Sequence, residues 1–192
     1  MRYAPEHNDA TRERILEAAS RLFREHGIAA VGLAKIMAEA GLTVGTFYTH
    51  FKSKEALLRE ALLRSLDARH EVLEQALLGA DVETVVRAYL SPEHRDESGR
   101  GCPVAALAAE VARHPRATRH TFASHNAPTL DALATWLSSR RGKAVARADA
   151  AALLGLLSGT LQLARATPDQ GESDAILAAG VRAALRLGER TP

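Results

Sequence analysis

The chain has 192 residues, 46% of them hydrophobic, with four Phe, three Tyr, one Trp and a formal net charge of +2. That length makes one large or two small domains and can bury a core without staples, while the scarcity of aromatics beside abundant Ala and Leu argues against a β-sandwich or barrel. A single cysteine excludes an internal disulfide and a cysteine-based zinc cluster, and suits a reducing compartment.

The start, Met1 to Thr11, is polar and lacks the apolar stretch of a secretory leader. The longest charge-free apolar run, Ala150–Ala164, is shorter than the ~20 residues that span a bilayer. The expected location is therefore the cytoplasm, without a membrane partner. Residues 1–64 carry ten Lys/Arg against eight Asp/Glu, and residues 65–192 fifteen against fifteen. The whole positive excess lies in the first third, which is where an acidic partner would bind.

Nearly every segment follows a helical period. Ala10–His26 places Ile15, Ala18, Ala19, Leu22 and Phe23 on one face, with Asn8 or Asp9 as the expected N-cap and Gly27 as the stop. Short helices follow at about Leu33–Ala40 and Val44–His50. Ser53 then caps a long helix that runs to about Leu78, with Glu55 in its first turn, and Gly79 ends it. Asp81–Leu90 is helical. The breaker-rich stretch Ser91–Gly101 reads as a loop. A helix from Pro103 to about Arg113 stops at Pro115. Arg116–Arg141 carries Pro128, where a kink or break is expected. Two more helices cover about Arg147–Ala166 and Glu172–Leu187. The expected fold is all-α with about nine helices: a small N-terminal unit over residues 1–52 and a larger helical bundle over residues 53–192.

Leu33 to Lys54 carries the most information. Two short helices joined by Gly41-Leu42-Thr43 have the layout of a helix-turn-helix. Gly41 can take the left-handed conformation that ends the first helix. Phe47 and Phe51, four apart, can pin the second helix to a core, leaving Thr43, Val44, Thr46, Tyr48, Thr49 and His50 outward. No Asp or Glu occurs from Ala40 through Ser53, so this surface can approach phosphates and base edges without like-charge repulsion. Gly45 leaves room for a DNA backbone, and Lys52 and Lys54 could hold phosphates. The same pattern would also suit a three-helix unit with no DNA partner.

Residues 11–62 resemble the DNA-binding domain of the TetR/AcrR family of transcriptional repressors. The likeness rests on Thr11-Arg-Glu-Arg-Ile-Leu-Glu-Ala-Ala19, Leu22-Phe23, Gly27, Ile36-Met-Ala-Glu-Ala-Gly41, Gly45-Thr-Phe-Tyr-Thr-His-Phe51 and Lys52-Ser-Lys-Glu-Ala-Leu57. These stretches fall in the family's order without a gap. The resemblance implies a homodimer whose third helix enters the major groove of an operator, and a C-terminal bundle that binds a small-molecule inducer. It places DNA contacts on Thr43, Val44, Gly45, Thr46, Tyr48, Thr49, His50 and Lys54, with Tyr48 and His50 mainly on phosphates. Two residues depart from the pattern. Gly32 stands where a capping Ser or Thr is common, and Val44 where a lysine is frequent. Both should weaken the salt-dependent share of binding.

In the bundle, Ala150–Ala164 is apolar almost all round and must be buried on several sides. Gly155 and Gly159 would let another helix come close, as a two-fold dimer requires. Cys102, beside Pro103 at a helix start, sits where amides and the helix dipole stabilise a thiolate, and His94, Arg95 and Arg100 could add to that. Its two readings are a sensor for oxidants or electrophiles and a small buried residue. Tyr89, Phe122 and Trp136 could line a ligand pocket, or else be core. Glu110 with His114, and His70 with Glu74, have metal-compatible spacing, but two ligands do not make a site, and neither a metal nor a cofactor is expected. Nor does the chain carry a Ser/His/Asp arrangement or a nucleotide-binding loop. The expected function is a ligand- or thiol-responsive repressor that binds a palindromic operator as a homodimer; the alternatives are a small helical enzyme and a protein-binding adaptor.

Overall fold

The computed structural model describes residues 5–189, all helical or in short connections, with no strand among them. The first part of the polar start, residues 1–4, lies outside the described residues. Ten helices follow one another: α1 (Pro5–His26), α2 (Leu33–Glu39), α3 (Val44–His50), α4 (Lys54–Leu77), α5 (Val82–Tyr89), α6 (Pro92–Asp96), α7 (Pro103–Val111), α8 (Arg116–Arg141), α9 (Arg147–Ala166) and α10 (Gln170–Glu189). The all-α architecture and the nine expected helices are present, together with one more.

That addition is α6, inside the stretch expected to be a loop. The Ser91 hydroxyl accepts from the His94 N–H, Pro92 fills the first turn and Glu93 faces the positive end of the dipole. Those start signals outweigh the breakers around them. Pro128 does not interrupt α8, which runs unbroken through it. Its ring lies on the exposed face, where water can replace the lost backbone bond. At the other end of the chain, Asn8 and Asp9 are not caps but lie inside α1, which begins at Pro5. A proline loses nothing in a first turn whose N–H groups have no helical partner.

Two cores organise the helices. The first gathers Ile15, Phe23, Ile36, Met37, Phe47, Phe51, Leu57 and Leu58 from α1 to α4, and takes in Leu107 and Val111 from the end of α7. The second gathers Leu73 and Leu77 of α4 with buried residues of α5 and α7 to α10. The 24-residue α4, about 36 Å long, belongs to both. It packs most extensively on α8, and α9 on α10.

The glycines of α9 and α10 divide by role. A Cβ on Gly180 would come within 2.3 Å of Thr160 Cγ2, so the approach of α10 to α9 requires its absence. At Gly155 and Gly159 a Cβ would meet nothing within 4 Å; nothing inside the protomer calls for glycine there. Gly180→Ala should therefore lower the unfolding free energy by about 1–3 kcal/mol in urea titrations. In the isolated protomer, at concentrations too low for self-association, Gly155→Ala should raise it by up to about 1 kcal/mol through helix propensity alone.

Candidate nucleic-acid interface and adjoining cavity

The turn between α2 and α3 is closed by backbone geometry. Ala40 is the C-cap of α2, Gly41 takes φ +66°, the Gly41 N–H donates to Ala38 O at 3.0 Å, and the Leu42 N–H donates to Met37 O at 2.8 Å. This pair of bonds satisfies the last carbonyls of α2 and turns the chain sharply into α3. Arg14 adds a bond from Nη2 to Ala40 O at 2.5 Å. Thr43 is the extended N-cap of α3; its hydroxyl lies 3.2 Å from that of Thr46, and Thr49 Oγ1 donates to Thr46 O at 2.7 Å.

Phe47 and Phe51 are buried as expected, their rings stacked 5.7 Å apart. The rest of α3 faces out. Thr43, Val44, Gly45, Tyr48 and Thr49 are exposed, and Thr46 and His50 are half-buried. Tyr48 is 66% exposed although its ring meets Phe47 edge-on at 5.1 Å, so the phenol projects from a fixed base. Burial, and then the Arg12 guanidinium, hold the His50 imidazole below its ordinary pKa of 6.5, leaving it neutral at pH 7. Lys54 departs from expectation: its ammonium donates to Ile28 O at 2.7 Å and lies 6.0 Å from the centre of the Phe23 ring. As the first residue of α4 it reaches back to the α1–α2 loop. The cation left outward at this end is Lys52. A Cβ on Gly45 would meet only Thr43 Oγ1, at 3.8 Å, and one on Gly32 nothing.

Polar contacts from α7, the α7–α8 turn and the Gly99 loop reach this unit and the start of α4. The Glu110 carboxylate, on α7, accepts from the Ile28 and Ala29 N–H groups at 3.1 and 3.0 Å. Glu55, in the first turn of α4, meets His114 Nδ1 at 3.1 Å and accepts from the Thr118 hydroxyl. Arg24 donates to Gly99 O at 2.8 Å and to Ser65 Oγ at 2.7 Å. In the sequence Glu110 and His114 read as a metal-compatible pair, and His114 also as part of a basic cluster with Arg116, Arg119 and His120 on a solvated face. The structure separates Glu110 and His114 onto different partners, and their pairing across more than fifty positions leaves no local signal. Among the described residues no cluster of three or more His, Cys, Asp or Glu could hold a metal.

A groove of about 570 Å³ opens between α4, α5 and α6, its walls including Val72, Leu73, Val85 and Tyr89, with Arg69, Glu93 and Arg100 among its polar groups. Behind Tyr89 and Arg69 lies an inner cavity of about 30 Å³ reached by Cys102, Asn126, Leu133 and Leu157, room for about one water. Of the four residues expected at a sensing site, Tyr89 and Cys102 meet here. Phe122 packs against the first core, and Trp136 is core, its indole N–H directed to Ala80 O at 3.3 Å.

Cys102 is the N-cap of α7 with Pro103 after it, as read from the sequence, and is 3% exposed. Its surroundings differ from expectation. Arg95 is buried against Asp96, Ser173 and Asp174, and Arg100 pairs with Glu97. His94 contributes no charge: Nε2 accepts from the Cys102 N–H at 2.9 Å, so Nδ1 carries the proton and donates to Tyr89 O at 2.7 Å. Burial lowers its pKa to about 4. The Tyr89 phenol lies 3.1 Å from Ser158 Oγ, and burial, followed by neighbouring Cys102, raises its pKa. Arg165, which the sequence did not single out, donates to the His94 and Arg95 carbonyls at 2.6 and 2.9 Å and ties α9 to α6. No described helix is long and apolar enough to cross a membrane.

Comparison with known proteins agrees with this geometry. Residues 15–61 match the profile of the family described as bacterial regulatory proteins, tetR family. The chain is 42% identical over 76 residues to the HTH-type transcriptional regulator TtgR of Pseudomonas putida, covering 40% of this chain and 36% of that one. It is 31% identical over 107 residues to the HTH-type transcriptional regulator UidR of Escherichia coli, covering 55% of this chain and 54% of that one. The matches thus span about a third to a half of these curated relatives. The reduced form of NemR from E. coli superposes with a TM-score of 0.75 at 22% identity, over 91% of this chain and 95% of that one, a likeness of fold.

His94 carries a pH dependence. Burial, with the Arg69 and Arg165 guanidinium groups adding to it against the bond to Tyr89 O, holds its native pKa at about 4, below the ordinary 6.5. The contribution is whole above about pH 6.5 and is lost as pH falls toward 4. Urea titrations should show stability declining by about 2 kcal/mol across that window from this group, and His94→Gln should flatten that part of the profile.

Proposed function

We propose, starting from the chain's membership of the TetR/AcrR family of transcriptional regulators, that it is a repressor which binds a palindromic operator as a homodimer and is released by a small molecule. The observation that carries this reading is the acid-free outer face of α3, presented on two buried phenylalanines. Residues 1–52 act as the DNA-binding unit and residues 53–192 as the sensing and dimerising unit. Thr43, Val44, Gly45, Thr46, Tyr48, Thr49 and His50 meet the major groove and its phosphates, while Lys54 fixes the α1–α2 loop from behind. Glycine in the first turn of α3 lowers helix stability, and the open space around Gly45 supports an external reason for it, the close passage of a DNA strand.

The homodimer is supported by α9 and α10. Gly155, Leu163, Ala175, Ala178 and Ala179 leave small or apolar groups exposed, and the glycines of α9 are unused within the protomer. A second copy packed on this face would set two α3 helices against half-sites about 34–36 Å apart. A ligand with an apolar body entering the groove beside Tyr89 would favour a state with altered α4 and α7. Those helices reach the DNA-binding unit through Glu55 and Glu110, so operator affinity would fall by the difference in ligand affinity between the two states. Cys102 lies on the inner cavity wall, so a reagent that passes Tyr89 could also reach its thiol.

Fluorescence anisotropy with the DNA upstream of the protein's own gene tests this reading. The wild-type chain should bind with steep salt dependence. Gly45→Ala should weaken binding at least about tenfold, or about 1.4 kcal/mol, while leaving the melting temperature equal or higher. Unchanged affinity in Gly45→Ala would remove the argument for a strand passing at α3. Quinones, aldehydes or peroxide should release DNA from the wild type and not from Cys102→Ser; equal release from both would exclude the thiol as the sensor.

A further inference from the structure

The turn between α7 and α8 carries a second surface with the same electrostatic character as α3. Residues 111–130 include Arg113, His114, Arg116, Arg119, His120 and His125 and not one Asp or Glu. Arg113, Arg116, Arg119 and His120 are all exposed. Arg113, just past α7, donates to Ala109 O of that helix, and none of the three guanidinium groups is in an ion pair among the described residues. Four other exposed or half-exposed arginines are neutralised, Arg12 by Glu60, Arg64 by Glu13, Arg87 by Glu83 and Arg147 by Asp131. Arg140, Arg182 and Arg186 are exposed without an ion pair among the described residues but stand apart from this segment. Three acids reach residues 111–130, and each is engaged: Glu55 by His114 and Thr118, Glu110 by the Ile28 and Ala29 amides, and Asp67 by His125 Nδ1 at 2.9 Å.

Local energetics point the same way. The first turn of α8 holds no acid, and its N-cap, Pro115, supplies no side-chain bond. Arg116 and Arg119 stand in the first turns of a 26-residue helix, whose positive end meets the Glu55 carboxylate through Thr118 on its inner side and favours an anion on its exposed side as well. The Glu55 contacts also place the turn against the first turn of α4, into which α3 leads through Phe51, Lys52 and Ser53. Lys52, in that connection, is exposed.

We infer that the α7–α8 turn is a second phosphate-binding surface, which grips the DNA backbone flanking the half-site read by α3. This rests on the DNA-binding reading above. A duplex is the occupant that fits, because its evenly spaced phosphates match several unpaired guanidinium groups and need no base readout. The bundle then takes part directly in holding DNA. A ligand-induced shift of α7 and α8 would move phosphate contacts as well as the spacing of the recognition helices.

The test uses the full chain and a duplex of about 40 base pairs from the DNA upstream of the protein's own gene, long enough to extend past both half-sites, in a salt series read by anisotropy. Arg116→Ala/Arg119→Ala is compared with Arg140→Ala/Lys143→Ala, an equal charge change about 36 Å away at the far end of α8. Circular dichroism melts confirm that both variants fold as the wild type does. The expected result is a slope of log K against log salt shallower by about 2 for the 116/119 variant, with binding weakened at least about tenfold near 0.1 M salt and the 140/143 variant unchanged. Equal slopes for the two variants, shifted or not, overturn the inference while leaving the α3 reading intact. Failure of the wild-type chain to bind any duplex overturns both.

Discussion

A seven-residue helix is not stable alone in water, and α3 persists because Phe47 and Phe51 anchor it in the first core. Each fully buried phenylalanine contributes about 2–3 kcal/mol, enough to hold one short turn of chain in place. Anchoring from one side frees the other. Because two aromatic residues four apart supply the packing, the remaining positions of α3 can carry hydroxyl, phenol and imidazole groups that do nothing for the fold. The Gly41 turn then fixes the angle at which that face is presented. Loss of either anchor would remove the presented surface together with the helix.

The anchored unit is not isolated. Its core includes Leu107 and Val111 of α7, and its α1–α2 loop hangs from Glu110 on the same helix. The other end of α7 begins at Cys102, whose amide is held by neutral His94 beside Tyr89 and the cavity. One nine-residue helix therefore runs from the cavity wall to the loop that precedes α2. Helix α4 makes a second, longer connection, with Glu55 near α3 and Leu73 in the bundle core. In the proposed repressor these two rods give a cavity event a mechanical path, and interiors packed at this density transmit displacement rather than absorb it.

The departures from the family pattern acquire a physical sense from the surroundings. Gly32 caps α2 through its backbone alone, and nothing lies where its side chain would be. Val44 is exposed and apolar where a cation is frequent, which suits contact with a thymine methyl better than with a phosphate. The cation absent at position 44 has unpaired counterparts on the α7–α8 turn.

Helical periodicity, capping residues and the Gly41 turn made the all-α fold and the helix-turn-helix legible in the sequence, because each is written within about ten residues of chain. The outward face of α3 was equally readable, since burial of Phe47 and Phe51 dictates what remains. Short-range signals misjudged α6 and the start of α1, where capping chemistry and the tolerance of a first turn for proline outweighed the breakers. Which charged groups are free and which are spent was decided by the tertiary structure alone. Lys54 turns to Ile28, Glu110 to two amides of a distant loop, buried Arg95 to Asp174 as well as to neighbouring Asp96, and Arg116 and Arg119 to solvent. For Lys54, Glu110 and the Asp174 contact of Arg95 the partners come from about 26 to 82 positions away, and chain topology, not local pattern, chooses them.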